Sequence, residues 1–140
     1  MSEPLPPVPS PFYRVSVKAL IFDAERRLLV LRDRGDRWQI PGGGWEHAES
    51  LEACVQRELG EEMGVSAASI DLSRLYPCTG RARLKLTVGV VLAPGELRVG
   101  DGMQEARYVT RAEFAELVLG GGDDVLGPHV LETWPRGDGV

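Results

Sequence analysis

The sequence has few of the residues that announce chemistry by themselves. Its only cysteines, Cys54 and Cys78, form no CxxC pair, which argues against both a thiolate zinc site and a disulfide framework. A reducing, cytoplasmic setting is expected. The two histidines, His47 and His129, have no second partner at metal-ligand spacing and read as surface or loop residues. There is no excess of basic charge: the net charge of -5 speaks against a broad nucleic-acid or membrane surface, though it leaves room for a small phosphate pocket. No long hydrophobic run occurs, since the most apolar stretch, LTVGVVLA, is far short of a membrane span. The start, MSEPLPPVPSP, lacks the basic residues and apolar run of a signal peptide and reads as an extended arm over residues 1–11. Internal repeats and a D-x-D-x-D-G calcium loop are missing as well.

What remains is one ordinary domain. A chain of 140 residues with 43% hydrophobic and 26% charged residues supports a single core and not two. The domain is expected over residues 12–133, with a flexible tail at 134–140. Alternating Val- and Ile-rich stretches predict strands at Tyr13–Phe22, Leu28–Arg32 and Leu84–Ala93, with a shorter one at Glu105–Val109. Pro77 weakens any strand between Ile70 and Thr79, and the segment DRGDRWQIPGGG reads as a loop around a short extended piece. Ser50 caps a helix that runs to about Met63, with Gly64 as its stop. Thr110 caps a second, RAEFAELVL, that ends at Gly120–Gly122. Strands with two helices packed on them give an α/β or α+β sandwich.

The stretch RELGEEMG breaks a rule. Glu58, Glu61 and Glu62 crowd into the last turn of the first helix, where unpaired carbonyls favour cations. A solvated face is the ordinary reading of helical glutamates. At about 100° per residue, however, Leu51, Val55 and Leu59 form one stripe, and Glu58 and Glu62 point into it. Glu61 lies at its edge, while Glu52, Gln56 and Gly60 take the opposite face. Carboxylates held together share protons or need a cation, and Mg²⁺ or Mn²⁺ is commonly held by one or two carboxylates plus substrate phosphates. Arg57, four residues before Glu61, is placed to orient that carboxylate. Upstream, Gly42, Gly43 and Gly44 are able to approach a phosphate closely and aim N–H groups at it, although such a run is often only a turn.

These residues resemble the Nudix hydrolase family. The family's box is matched at every specified position by Gly43, Glu49, Arg57, Glu58, Leu59, Glu61, Glu62, Gly64 and Val65, with the lead-in Trp38-Gln39-Ile40-Pro41-Gly42 before it. The resemblance implies an α/β/α sandwich with a mixed β-sheet and a metal-dependent hydrolysis of a nucleoside diphosphate linked to another group. Glu58, Glu61 and Glu62 would bind Mg²⁺ or Mn²⁺, with Glu58 or a more distant acid helping to deprotonate water. Arg57 and Glu49 would support them. A late acid often completes the site in the family; Glu105 is favoured here, with Asp101 as the alternative. Lys18 interrupts the first strand, and Arg81, Arg83 and Lys85 share one face of an extended segment. Lys18 and Arg83 are taken as substrate-binding candidates against a plain solvated face. Trp45 reads as a loop-packing residue.

A MutT-like pyrophosphohydrolase acting on a (d)NTP-type substrate is the leading expectation. A nucleotide-sugar or dinucleoside polyphosphate hydrolase is the alternative within enzymes, and a non-catalytic nucleotide sensor the alternative outside them. The expected partner is a nucleotide-type small molecule, with no nucleic acid or membrane; a homodimer is left open.

Overall fold

The computed structural model describes residues 11–80, 82–100 and 102–136. Along the chain lie β1 (Arg14–Leu20), β2 (Leu28–Asp33), β3 (Trp38–Gln39), β4 (Gly42–Gly44), α1 (Leu51–Met63), β5 (Ala67–Gly80), β6 (Arg83–Leu92), β7 (Met103–Val109), α2 (Arg111–Ala115), a 3-10 turn (Asp123–Leu126) and α3 (Gly127–Glu132). One sheet has the order β4-β1-β6-β5, parallel only between β1 and β6; the other is β3-β2-β7, antiparallel throughout. The Leu29 N–H donates to Ile21 O at 2.9 Å and stitches the two together.

Period-2 alternation sorts the core into two layers. Val17 and Ala19 of β1, Leu29 and Leu31 of β2, and Val88 and Val90 of β6 pack with Cys54, Val55, Leu59 and Met63 of α1. The opposite faces present Leu20, Leu28, Val30 and Val109 to Phe114, Leu126, Val130 and Trp134. Helices therefore cover both sides, and the architecture is the expected α/β/α sandwich with mixed strand pairing. Among the described residues no helix is long and apolar enough to cross a membrane.

Four local expectations need correction. Residues 67–80 form a strand despite Pro77, because β5 is a sheet edge, where a missing N–H is tolerated; its pairing with β6 slips between Asp71 and Tyr76. The glycine run is not a loop: β4 pairs with β1 through Val17↔Gly43. The second helix stops at Ala115. Its capping box, Thr110 with Glu113, starts it well, but residue 119 then bridges to Trp38 instead of continuing the helix. Trp134, placed in the expected tail, is held in the fold: it packs edge-on to Phe22 and donates its indole N–H to Arg26 O at 2.8 Å. Of the expected arm only Pro11 lies within the described residues.

Candidate active site

Helix α1 carries the three candidate glutamates and is fixed at both ends. The Ser50 hydroxyl accepts from Ala53 N at 3.1 Å, and Gly64, at φ 65°, closes the C-terminus with its N–H on Gly60 O. The last turn holds no basic residue. Cys54, Val55, Leu59 and Met63 bury the helix, and Glu62, only 9% exposed, lies on that same buried side. Glu58 is partly buried, whereas the Glu61 side chain is 60% exposed.

The three glycines serve contact with α1 and β1. The Gly42 N–H donates to Glu62 Oε1 at 2.8 Å, so it is aimed at the helix carboxylate and not outward at a phosphate. At φ 128°, a Cβ on Gly42 would meet Val17 O at 2.0 Å. A Cβ on Gly43 would lie 2.6 Å from the carboxylate atoms of Glu58, while one on Gly44 would meet nothing within 4 Å. Because the Glu58 head is a flexible end, Gly43→Ala is expected to fold and to displace that head. Activity should fall about ten- to a hundred-fold with little change in Tm. An unchanged kcat would show that the position of Glu58 does not matter.

Burial pushes the Glu62 carboxyl up to about 7; the Gly42 N–H and Lys18 pull it down, and Glu58 and Asp123 push it up further. Arg57 balances the rest of the cluster. Its guanidinium grips Glu49 through Nε at 3.1 Å and Nη2 at 2.8 Å, reaches Glu58 Oε1 at 2.9 Å, and lies 3.5 Å from Glu61 Oε1. Nη2 also donates to Gly44 O at 2.8 Å. The Arg57 hydrogen bond and the Glu46 N–H hold the Glu49 carboxyl down at about 2, and Glu49 in turn raises the Arg57 pKa. Arg57 thus ties the loop after β4 to the acidic turn of α1. Burial drives the neighbouring Cys54 thiol up to about 12, so it is a neutral packing group.

On the far side of β1, Lys18 is buried and donates to Ile40 O at 3.1 Å and Gly42 O at 3.3 Å, with Asp123 Oδ2 at 3.4 Å. Those contacts match the three donors of an ammonium, so Lys18 braces the β3–β4 link and does not reach out as a phosphate hand. Lys85 is also buried, on Asp123 Oδ1 at 2.7 Å and Gly121 O at 2.8 Å. Arg83 donates to Gly121 O and is otherwise exposed. The sequence reading missed Asp123. Its signal was Lys18 itself, because a lysine in an apolar strand needs a buried counterion.

Two cavities meet here. One, of about 690 Å³, is lined by Tyr13, Trp45, His47, Glu49 and Glu58; the other, of about 320 Å³, by Lys18, Gln39, Arg83, Lys85 and Gly121. Arg14, Val15 and Gly44 line both. Glu105 is not brought to the helix glutamates. It sits on β7 of the other sheet, opposite Arg32, with its oxygens on Arg32 Nε at 3.1 Å and Arg107 Nε at 2.9 Å. Asp101 and Arg81 lie outside the described residues.

Among the described residues no three His, Cys, Asp or Glu side chains converge as a ready cage for a metal ion. The donor set nevertheless fits a hard divalent cation. Glu58 and Glu62 are adjacent carboxylates at the electronegative end of a helix, and a Mg²⁺-type ion takes its remaining ligands from water and substrate phosphates.

The family model described as the NUDIX domain matches residues 12–125. The chain is 30% identical to a MutT-like protein of Streptomyces ambofaciens, over 93% of this chain and 90% of that one. It is 31% identical to an RNA pyrophosphohydrolase of Teredinibacter turnerae, over 87% of this chain and 69% of that one. The crystal structure of a MutT protein from Methanosarcina mazei Go1 shares the fold, with a TM-score of 0.70 at 20% identity, covering 91% of this chain and 96% of that one.

Proposed function

The chain belongs to the Nudix hydrolase family, and from that premise we propose that it hydrolyses a phosphoanhydride bond in a 5′-nucleoside polyphosphate, using Glu58, Glu61 and Glu62 to hold Mg²⁺ or Mn²⁺. Glu62 carries the reading: a buried carboxylate beside Glu58, at the helix end that disfavours anions, is short of positive charge. A divalent cation held there would neutralise the phosphates and make a bound water more acidic. The protein's own groups do the remaining work. Glu58 lines the larger cavity and takes the proton of the attacking water. Arg57 keeps Glu58 and Glu49 in register across the loop, and Gly42 fixes Glu62 through its N–H. Arg14, Arg83 and Lys85 form a cationic wall beside them for the phosphates not under attack.

The test is a panel of nucleoside triphosphates, oxidised dNTPs, nucleotide sugars and dinucleoside polyphosphates, each with Mg²⁺ or Mn²⁺ and with chelator. At least one should be cleaved to a nucleoside monophosphate, and chelation should abolish the reaction. Undiminished turnover in excess chelator would sink the metal assignment. Tight binding without turnover across the panel would favour a nucleotide sensor. A second reading, cleavage at the 5′ end of an RNA, is favoured by the similarity to the Teredinibacter turnerae protein. It departs from the expectation of no nucleic-acid partner, and a 5′-triphosphorylated oligonucleotide belongs in the same panel.

A further inference from the structure

The two cavities differ in the chemistry of their walls. The smaller one is walled by Lys18 and Lys85, buried on a single Asp123, and by Arg83. Arg14 and Arg83 add two guanidinium groups to this wall, which suits anions, and among the described residues no aromatic ring lines it for a base. The larger one holds the aromatic groups: Tyr13, 47% exposed, the half-buried Trp45 and the exposed imidazole of His47. Of the three tryptophans, Trp38 and Trp134 lie in one core layer, while the half-buried Trp45 packs against the other and also lines the cavity. Its backbone N–H is fixed on Val15 O at 2.9 Å and its indole N–H on Glu49 O at 2.9 Å. Glu49 is held by Arg57, which also holds Glu58. One hydrogen-bonded chain therefore links the aromatic wall to the acidic turn. At about 690 Å³ the cavity is within the size range of small-molecule sites.

We propose that Trp45 and Tyr13 form the nucleobase subsite, with the polyphosphate running past Glu58 toward Arg83 and Lys85. This rests on the function proposed above and adds the direction of the substrate. The ligand chemistry is a planar base on a 5′-polyphosphate, either as a free nucleotide or as the 5′ end of an RNA. Base–aromatic stacking is strong enough for its loss to change affinity by roughly an order of magnitude or more.

The experiment compares wild type with Trp45→Ala, Tyr13→Ala and Trp45→Phe in the full chain. KM and kcat are measured for a nucleoside triphosphate, for a 5′-triphosphorylated RNA oligonucleotide and for base-free inorganic tripolyphosphate. KM for the base-bearing substrates should rise about ten-fold more than KM for tripolyphosphate in the alanine variants. Trp45→Phe, which retains a ring, should recover much of the difference. The ratio of kcat/KM for the two base-bearing substrates tells which source the site serves. Equal effects on all substrates, or none on any, would overturn the subsite. Should wild type turn over nothing, the function above fails, and binding still decides the subsite. A methylene-bridged nucleoside triphosphate should quench tryptophan emission in wild type but not in Trp45→Phe. Quenching that survives in Trp45→Phe, or occurs in neither, overturns the proposal.

Discussion

Glu62→Gln should lower kcat by about two orders of magnitude or more and at the same time stabilise the metal-free protein. The activity loss is that expected when a preorganised electrostatic group is removed from a site where charge develops. The gain in stability follows from the same burial. In the fold the Glu62 carboxyl titrates at about 7, against an ordinary value of 4.5. Between those values the folded state keeps a proton that the unfolded chain has released. Stability from this group is therefore fully present below 4.5 and is lost as pH rises through about 7, by about 3 kcal/mol in total. Glu49, held down at about 2, works in the opposite direction, but its contribution is already complete above its ordinary value of 4.5. Wild type in chelator should thus be less stable at pH 8 than at pH 5, and Gln, which still accepts from the Gly42 N–H, should flatten that slope. Denaturation at both pH values, with kcat on the same preparations, checks both halves. A pH-independent wild type together with a fully active variant would end the argument.

The helix and its acids were legible because a 3.6-residue period is a local property. Once Leu51, Val55 and Leu59 define a stripe, Glu58 and Glu62 must share it, and the structure has Glu62 buried as that geometry requires. The edge strand β5 was not legible, because whether Pro77 is tolerated depends on sheet position, which no local pattern contains. The glycine run was misread for a related reason. A Gly-Gly-Gly segment looks the same whether its N–H groups face a phosphate or a helix carboxylate, and only the packing of α1 against β4 sends Gly42 to Glu62. The placement of Glu105 was not legible either, because β7 pairs with β2 in the other sheet and sets it beside Arg32 and Arg107. Asp123 lies far along the chain from Lys18 and Ile40, so its role needs the tertiary fold.

Asp123→Ala should cost about 3–5 kcal/mol and lower Tm by on the order of 10 °C. Asp123 is fully buried and is the shared acceptor for Lys85 Nζ at 2.7 Å, the Ile40 N–H at 2.8 Å and, at 3.4 Å, Lys18 Nζ. Removing it leaves two buried ammoniums facing each other, with Gly121 and the β3–β4 carbonyls as their remaining partners. Burial already lowers the Lys85 pKa, with Asp123 opposing that shift, so the variant should tend to release a proton from Lys85 to escape the charge. Breaking a buried ionic cluster at one member is far worse than replacing all of it with apolar groups of similar size. The triple variant Lys18→Met, Lys85→Met, Asp123→Leu should therefore recover most of the lost stability. It should not recover activity, because Lys18 helps to keep Glu62 ionised and Lys85 lines the cationic cavity. Urea denaturation of the single and triple variants, with kcat and KM on the folded species, separates the two effects. A loss below about 1 kcal/mol for Asp123→Ala would mean that the lysines find other partners and that the cluster does not hold the cavity wall.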